Sequence, residues 1–160
     1  MLRLPYRTRK PKDYQVNNPG ELIQLDTLDV RPSPRVVLKH FTACDVISRW
    51  DVVDIYTRAT ASTACNFLDK IKERMPFLIR AIQVDGGSEF EAQFEAECQR
   101  REIKLFILPP RSPELNGHVE RARRTHAAEF YQVTESSFDI AELRGELMRW
   151  EQTYDTVRPH

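Results

Sequence analysis

Three carboxylates stand out by where they fall in the sequence. Asp26 interrupts the apolar run Leu-Ile-Gln-Leu-Asp-Thr-Leu, where an aspartate suits a strand poorly and its charge needs a partner. Asp85 falls where Ala-Ile-Gln-Val runs into Gly86-Gly87. Strand ends of α/β sheets are where sites gather, although an Asx turn into Gly86 accounts equally well for an aspartate there. Glu120 lies one residue, about 100° of helical rotation, from Val119 in the stripe Leu115, Val119, Ala122, His126 and Phe130. It therefore flanks an apolar face. Asn116 precedes it by one turn and Arg123 and Arg124 follow by about one turn, so taken alone Glu120 reads as half of an intrahelical ion pair. Taken together, two strand aspartates and a helical glutamate are hard oxygen ligands suited to Mg²⁺, which favours few carboxylates plus water and phosphate oxygens. Such a site would serve an in-line phosphoryl displacement without a separate His or Lys base.

The elements that must position these groups follow from periodicity. Strands are expected over 21–30, 36–47 and 50–56, with Arg31-Pro32-Ser33-Pro34 as the first turn. A helix over 62–75 shows Ala64, Phe67, Leu68, Ile71 and Met75 at helical spacing and stops at Pro76. A strand over 79–84, a short helix over 91–101 and a strand over 104–108 come next. Pro109, Pro110 and Pro113 stiffen the loop beyond, and a helix over 113–133 takes Ser112 as N-cap. A last helix over 139–154 carries the stripe Leu143, Leu147, Trp150 and Tyr154, and both Trp50 and Trp150 read as core residues. Three strands in meander order, then alternating helix and strand, then helices, make an α/β sheet covered by helices.

Composition narrows the classes. With 160 residues and 41% hydrophobic content the chain can bury a core without staples. No apolar run approaches the roughly 18–20 residues of a membrane span, and the start lacks the apolar core of a secretory signal. Cys44, Cys65 and Cys98 are odd in number and far apart, which argues for buried thiols in a reducing cytosol. Net charge is zero, from 24 basic and 24 acidic residues. That zero conceals an asymmetry. Arg3, Arg7, Arg9, Lys10 and Lys12 stand against Asp13 alone in the first 14 residues, a net +4 that leaves −4 for the rest. This head, with two prolines and almost no core-forming residues, reads as an extended basic linker over 1–18 ahead of a compact unit over 19–160. It is either a solvated tail or an arm for a phosphate backbone.

Asp26-Thr27, Val84-Asp85-Gly86-Gly87-Ser88-Glu89-Phe90 and Pro110-Arg111-Ser112-Pro113-Glu114-Leu115-Asn116-Gly117-His118-Val119-Glu120-Arg121 resemble the catalytic core of DDE transposases and retroviral-type integrases. Thr125, Glu129-Phe130-Tyr131 and the closing Tyr154-Asp155-Thr156-Val157-Arg158-Pro159-His160 resemble the bacterial insertion-sequence branch. Thirty-four residues separate Asp85 from Glu120, which suits the family's D-D-(34 or 35)-E pattern. The resemblance implies a ribonuclease H-like fold, a central mixed five-stranded sheet flanked by helices. It implies Asp26, Asp85 and Glu120 as the catalytic ligands of two Mg²⁺ or Mn²⁺ ions. It also implies cleavage at the ends of a mobile DNA element, followed by attack of a 3′-hydroxyl on target DNA. Further expectations are a DNA-binding region preceding the core, self-association as a dimer or larger assembly, no small-molecule cofactor, no membrane, and a bacterial, nucleoid-associated location.

DNA contacts are expected from Arg111, Asn116, His118, Arg121, Arg123 and Arg124. Arginine forks match phosphate geometry, while helix-surface packing and pairing to Glu120 and Glu129 is the plainer account of the same residues. Glu89 reads as a nearby structural carboxylate rather than a ligand. The chain departs from the family at Gly86, where an asparagine is usual, so one amide near the site is missing. An inactive core retained for DNA binding or assembly is the alternative reading. Paired Asp-Thr-Gly loops of aspartic proteases are a faint resemblance, but Leu28 stands where glycine is needed and the helices do not suit an all-β protease.

Overall fold

The structure, a computed structural model, describes residues 5–33, 35–109 and 140–157. The expected helix over 113–133 lies outside these residues. Five strands form one sheet: β1 (Ile23–Ser33), β2 (Val36–Asp45), β3 (Asp51–Tyr56), β4 (Ala81–Val84) and β5 (Lys104–Ile107), in the order β3-β2-β1-β4-β5. The meander β1-β2-β3 is antiparallel, while β4 runs parallel to both β1 and β5. The helices are α1 (Ala61–Arg74), α2 (Gln93–Arg100) and α3 (Ile140–Val157). The mixed five-stranded sheet flanked by helices is the one expected.

Alternation along the strands sets two faces. Ile23, Leu25, Phe41, Ile82, Val84 and Leu105 pack with Phe67, Leu68 and Ile71 of α1, Phe94 of α2 and Phe90. A capping box joins Thr60 and Thr63 at the start of α1, and Lys72 and Arg74 in its last turn oppose the helix dipole. On the other face Val30, Leu38, Val53 and Ile55 meet Leu147 of α3 with Trp150 packed against them. Leu22, Ala81 and Phe106 on that face are covered by Tyr14 and Val16 of the head. Gly20 is required as glycine: its φ is +90° and a Cβ there would meet the Leu78 carbonyl oxygen at 1.9 Å.

Both sheet edges are closed by groups that supply hydrogen bonds in place of a neighbouring strand. At β3, Glu151 Oε1 accepts from the Val53 N–H at 2.6 Å and Asp155 Oδ1 from the Asp51 N–H at 3.0 Å. Arg144 Nε donates to the Ile55 carbonyl at 2.8 Å, and Arg74 Nη1 donates to the Val53 carbonyl at 3.0 Å. Arg144, Glu151 and Asp155 are spaced seven and four apart, so one face of α3 lies along the strand. At β5 the head supplies a short parallel bridge. Thr8 N–H donates to the Leu105 carbonyl at 3.0 Å and Ile107 N–H to the Thr8 carbonyl at 2.8 Å.

Several boundaries differ from expectation for identifiable reasons. The first strand continues through Arg31-Pro32-Ser33, expected as a turn, because an irregularity between Val30 and Ser33 lets the ladder resume at Val36. A single 3₁₀ turn, Ser88–Phe90, comes before α2, which begins at Gln93. The last helix runs on to Val157, and its final turns are tied down by Asp155 on the Asp51 amide. The head is extended, as expected, but it is docked. Arg7 pairs with Glu91 at 3.1 Å, Tyr6 Oη donates to the Ile103 carbonyl at 2.6 Å, and the Tyr14 ring packs edge-on to Phe106. Among the described residues no helix is long and apolar enough to cross a membrane. All three cysteines are buried and free, and burial pushes the Cys98 thiol up to about 12.

Candidate active site

The parallel pairing of β1 with β4 assembles the first two carboxylates. Ile23 lies opposite Ile82 and Gln24 opposite Gln83, an offset of 59 residues. Carried two residues on, the same offset sets Asp26 opposite Asp85. The β4–β5 ladder extends past Val84, since the Leu108 N–H donates to the Val84 carbonyl at 2.8 Å. Alternate positions along a strand share a face, so Asp26 continues the face of Gln24 in β1, and Asp85 follows directly on the last residue of β4. Asp26 thus lies mid-strand in β1 yet level with the carboxyl end of the shorter β4.

Each carboxylate is oriented by a backbone amide. Asp26, 5% exposed, accepts from the Thr27 N–H through Oδ1 at 2.8 Å. Asp85, exposed, accepts from the Gly87 N–H through Oδ1 at 2.9 Å. The Asx turn expected at Asp85 is therefore present, and it holds the carboxylate rather than replacing a role for it. Asp85 makes no ion pair among the described residues. Below the pair, Gln83 Oε1 is buried without a hydrogen-bond partner.

Glu89 belongs to the other face. The Thr27 hydroxyl donates to its Oε1 at 3.1 Å, and Thr27 alternates away from Asp26 along β1. A Cβ on Gly87 would approach both Glu89 carboxylate oxygens to 2.8 Å, so the small residue leaves Glu89 room to reach Thr27. This cross-link between β1 and the turn after β4 was not read from the sequence. Gly86 has open space: a Cβ there meets nothing within 4 Å.

Glu120, Arg111, Asn116, His118, Arg121, Arg123 and Arg124 lie outside the described residues. Among the described residues no group of three His, Cys, Asp or Glu is set to hold a metal ion, and the meeting of Asp26 and Asp85 is a pair. A cleft of about 620 Å³ lined by Tyr14, Asn18, Glu21, Leu78 and Arg80 lies by the amino ends of β1 and β4, away from the aspartates.

A mixed five-stranded sheet flanked by helices, with Asp26 mid-strand in β1 and Asp85 just beyond β4, has the architecture of a ribonuclease H-like fold. Residues 101–160 match the family model described as integrase core domain. The fold is similar to a chain in the cryo-EM structure of the simian T-cell lymphotropic virus intasome in complex with PP2A regulatory subunit B56 gamma, with a TM-score of 0.73 and 16% identity. That likeness covers 95% of this chain and 57% of the other, so the chain spans little more than half its length. No curated protein matches the sequence. The family match spans 60 of the 160 residues, and the fold likeness spans nearly the whole chain.

Proposed function

We propose that the chain is the core of a metal-dependent polynucleotidyl transferase that cleaves DNA at mobile-element ends and joins the 3′-hydroxyl to target DNA. The observation that carries this reading is the offset that sets Asp26 of β1 level with Asp85 at the carboxyl end of the parallel strand β4, in a chain whose residues 101–160 match the integrase core family model. The donor set fits a hard divalent cation: two carboxylates from rigid strands, each with one oxygen fixed by a backbone N–H. Glu120 is the third ligand in this reading. When bound, Mg²⁺ or Mn²⁺ would lower the pKa of an attacking hydroxyl and offset charge on the leaving oxygen.

The chain's own residues supply orientation. The Thr27 and Gly87 amides each fix one oxygen of Asp26 and Asp85, and the Thr27–Glu89 bond ties β1 to the turn that follows Asp85. Arg111, Arg121, Arg123 and Arg124 contact DNA phosphates, with Asn116 and His118 near the ends being processed. DNA, a second copy of the chain and a bacterial nucleoid location complete the proposal.

Conversion of supercoiled plasmid to nicked and joined products in Mg²⁺ or Mn²⁺ tests it. Wild type is expected to give product, and Asp26→Asn, Asp85→Asn and Glu120→Gln to lose it by a factor of 10² or more. Equal yields from wild type and Glu120→Gln would sink the assignment. DNA binding without product in either metal would leave the inactive core as the reading.

A further inference from the structure

The row of the two aspartates does not end at β5. Gln83 lies opposite Phe106, and Phe106 opposite Thr8, so the head adds a sixth position to the sheet order beyond β5. The bridge is confined to Thr8, and the basic residues Arg9, Lys10 and Lys12 follow it directly. Because Thr8 runs parallel to β5, the chain after it travels toward the carboxyl ends where the aspartates sit. It then turns at Pro11, whose carbonyl accepts from the Tyr14 N–H at 3.1 Å, and returns to lay Tyr14 on Phe106.

This turn is basic and its charges are uncommitted. Arg9 and Lys12 are exposed and Lys10 half-buried, and none of the three makes an ion pair or hydrogen bond among the described residues. Only Asp13 opposes them. Docking is done instead by neighbours: Arg7 on Glu91, Tyr6 on Glu95 and Ile103, Thr8 in the ladder, and Tyr14 on Phe106 with Lys104 over its ring. Free cations on an anchored strap lose little entropy when they meet an anion. Two interstrand steps from β4 to the bridged Thr8 amount to about 10 Å, about three nucleotides along one DNA strand at 3.4 Å each.

We propose that the turn Arg9, Lys10 and Lys12 is a phosphate-binding rim for the DNA strand whose scissile phosphate is handled by the Asp26–Asp85 row. This inference rests on the polynucleotidyl transferase reading and adds to it a contact from the head. The rim acts on the phosphate backbone in this proposal, because it lies on an exposed turn with no helix or ribbon to carry it into a groove.

The test is binding of fluorescein-labelled DNA duplexes of two unrelated sequences to the full chain, followed by anisotropy across a salt series at fixed Mg²⁺. Replacing all three residues, Arg9→Gln, Lys10→Gln and Lys12→Gln, is expected to reduce the slope of log affinity against log salt by about three, about one per phosphate contact. The loss should be equal on both sequences, with an unchanged melting temperature. Asp13→Asn is expected to act oppositely and tighten binding. An unchanged slope in the triple variant, with wild type still binding DNA, overturns the rim and leaves the enzyme reading standing. Wild type that binds neither duplex at any salt overturns that reading, and the rim falls with it.

Discussion

Asp26 and Asp85 are equivalent in row but not in environment, and variants should separate them. Asp26 is buried and its Oδ1 is the acceptor of the Thr27 amide, whereas Asp85 is exposed and braces a turn. Asparagine keeps an oxygen for either amide, so Asp26→Asn and Asp85→Asn should fold while losing metal affinity, read by isothermal titration with Mn²⁺. Equal Mn²⁺ binding by wild type and Asp26→Asn would remove that residue from the ligand set. Gly86 makes a sharper residue-scale case. Its Cβ position is open, so Gly86→Asn should stay within about 0.5 kcal/mol of wild-type stability by chemical denaturation. It should also keep plasmid nicking, because the family's usual amide is then present beside Asp85. A large loss of stability would mean that the turn needs glycine for its backbone. Gly20→Ala is the contrasting case, expected to cost roughly 2–4 kcal/mol because it combines a positive φ with a backbone clash.

At the scale of elements, α3 acts as a side-chain substitute for a strand, and this makes its docking pH-dependent. Burial raises the Glu151 carboxyl to about 7, against the opposing pull of the Val53 N–H and Arg74. Burial raises Asp155 to about 8, with the charges of Asp51 and Glu151 adding to the rise and the Asp51 N–H opposing it. Asp54 faces Glu151 from β3, and Arg144 lies 3.4 Å from Asp54. A raised folded-state pKa means that the folded chain binds the proton more tightly. The stabilisation is full below the unfolded carboxylate range, about pH 4. It is lost progressively as pH rises, through about 7 for Glu151 and about 8 for Asp155. Urea denaturation midpoints should therefore fall between pH 5 and 8, and Glu151→Gln should flatten the curve. Glu151→Ala should cost about 2–4 kcal/mol by leaving the Val53 amide and Arg74 without their acceptor. An unchanged pH profile in Glu151→Gln would show that the carboxyl is already ionised. These groups were hidden in the sequence. An acidic residue four from another on a helix reads as solvated surface, and only the open edge of β3 makes burial of Glu151 and Asp155 favourable. By contrast the strands and α1 were legible, since their periodicity is local, although the cap Thr60 was not read. The carboxylates were legible as individuals. Their meeting depends on the offset between β1 and β4, which no local pattern records.

For the whole molecule, the zero net charge is spatially organised: a basic head docked at the β5 edge of an acidic body. The head read as a linker because its composition is polar and its ladder partners, Leu105 and Ile107, lie nearly 100 residues on. Folding brings positive charge to the carboxyl end of the sheet, and in the proposed enzyme two divalent ions would bring the −4 body close to neutral on the same side. Docking of the head and closure of the sheet are then one event, and a single amide reports on it. Thr8→Pro removes the N–H donated to Leu105, while the three cations of the turn remain in the chain. With the bridge broken, the Ile107 N–H loses the Thr8 carbonyl and β5 becomes an open edge. Amide exchange at Ile107 should rise by about 10-fold or more, equivalent to roughly 1.4 kcal/mol of lost protection. Exchange at Ile82, inside the sheet, should hardly change, because its pairing to Ile23 and Leu105 does not involve the head. If Ile107 exchanges at the same rate in wild type and Thr8→Pro, the head is not held at this edge in solution. If Ile82 accelerates equally, the bridge supports the entire sheet rather than closing one side of it.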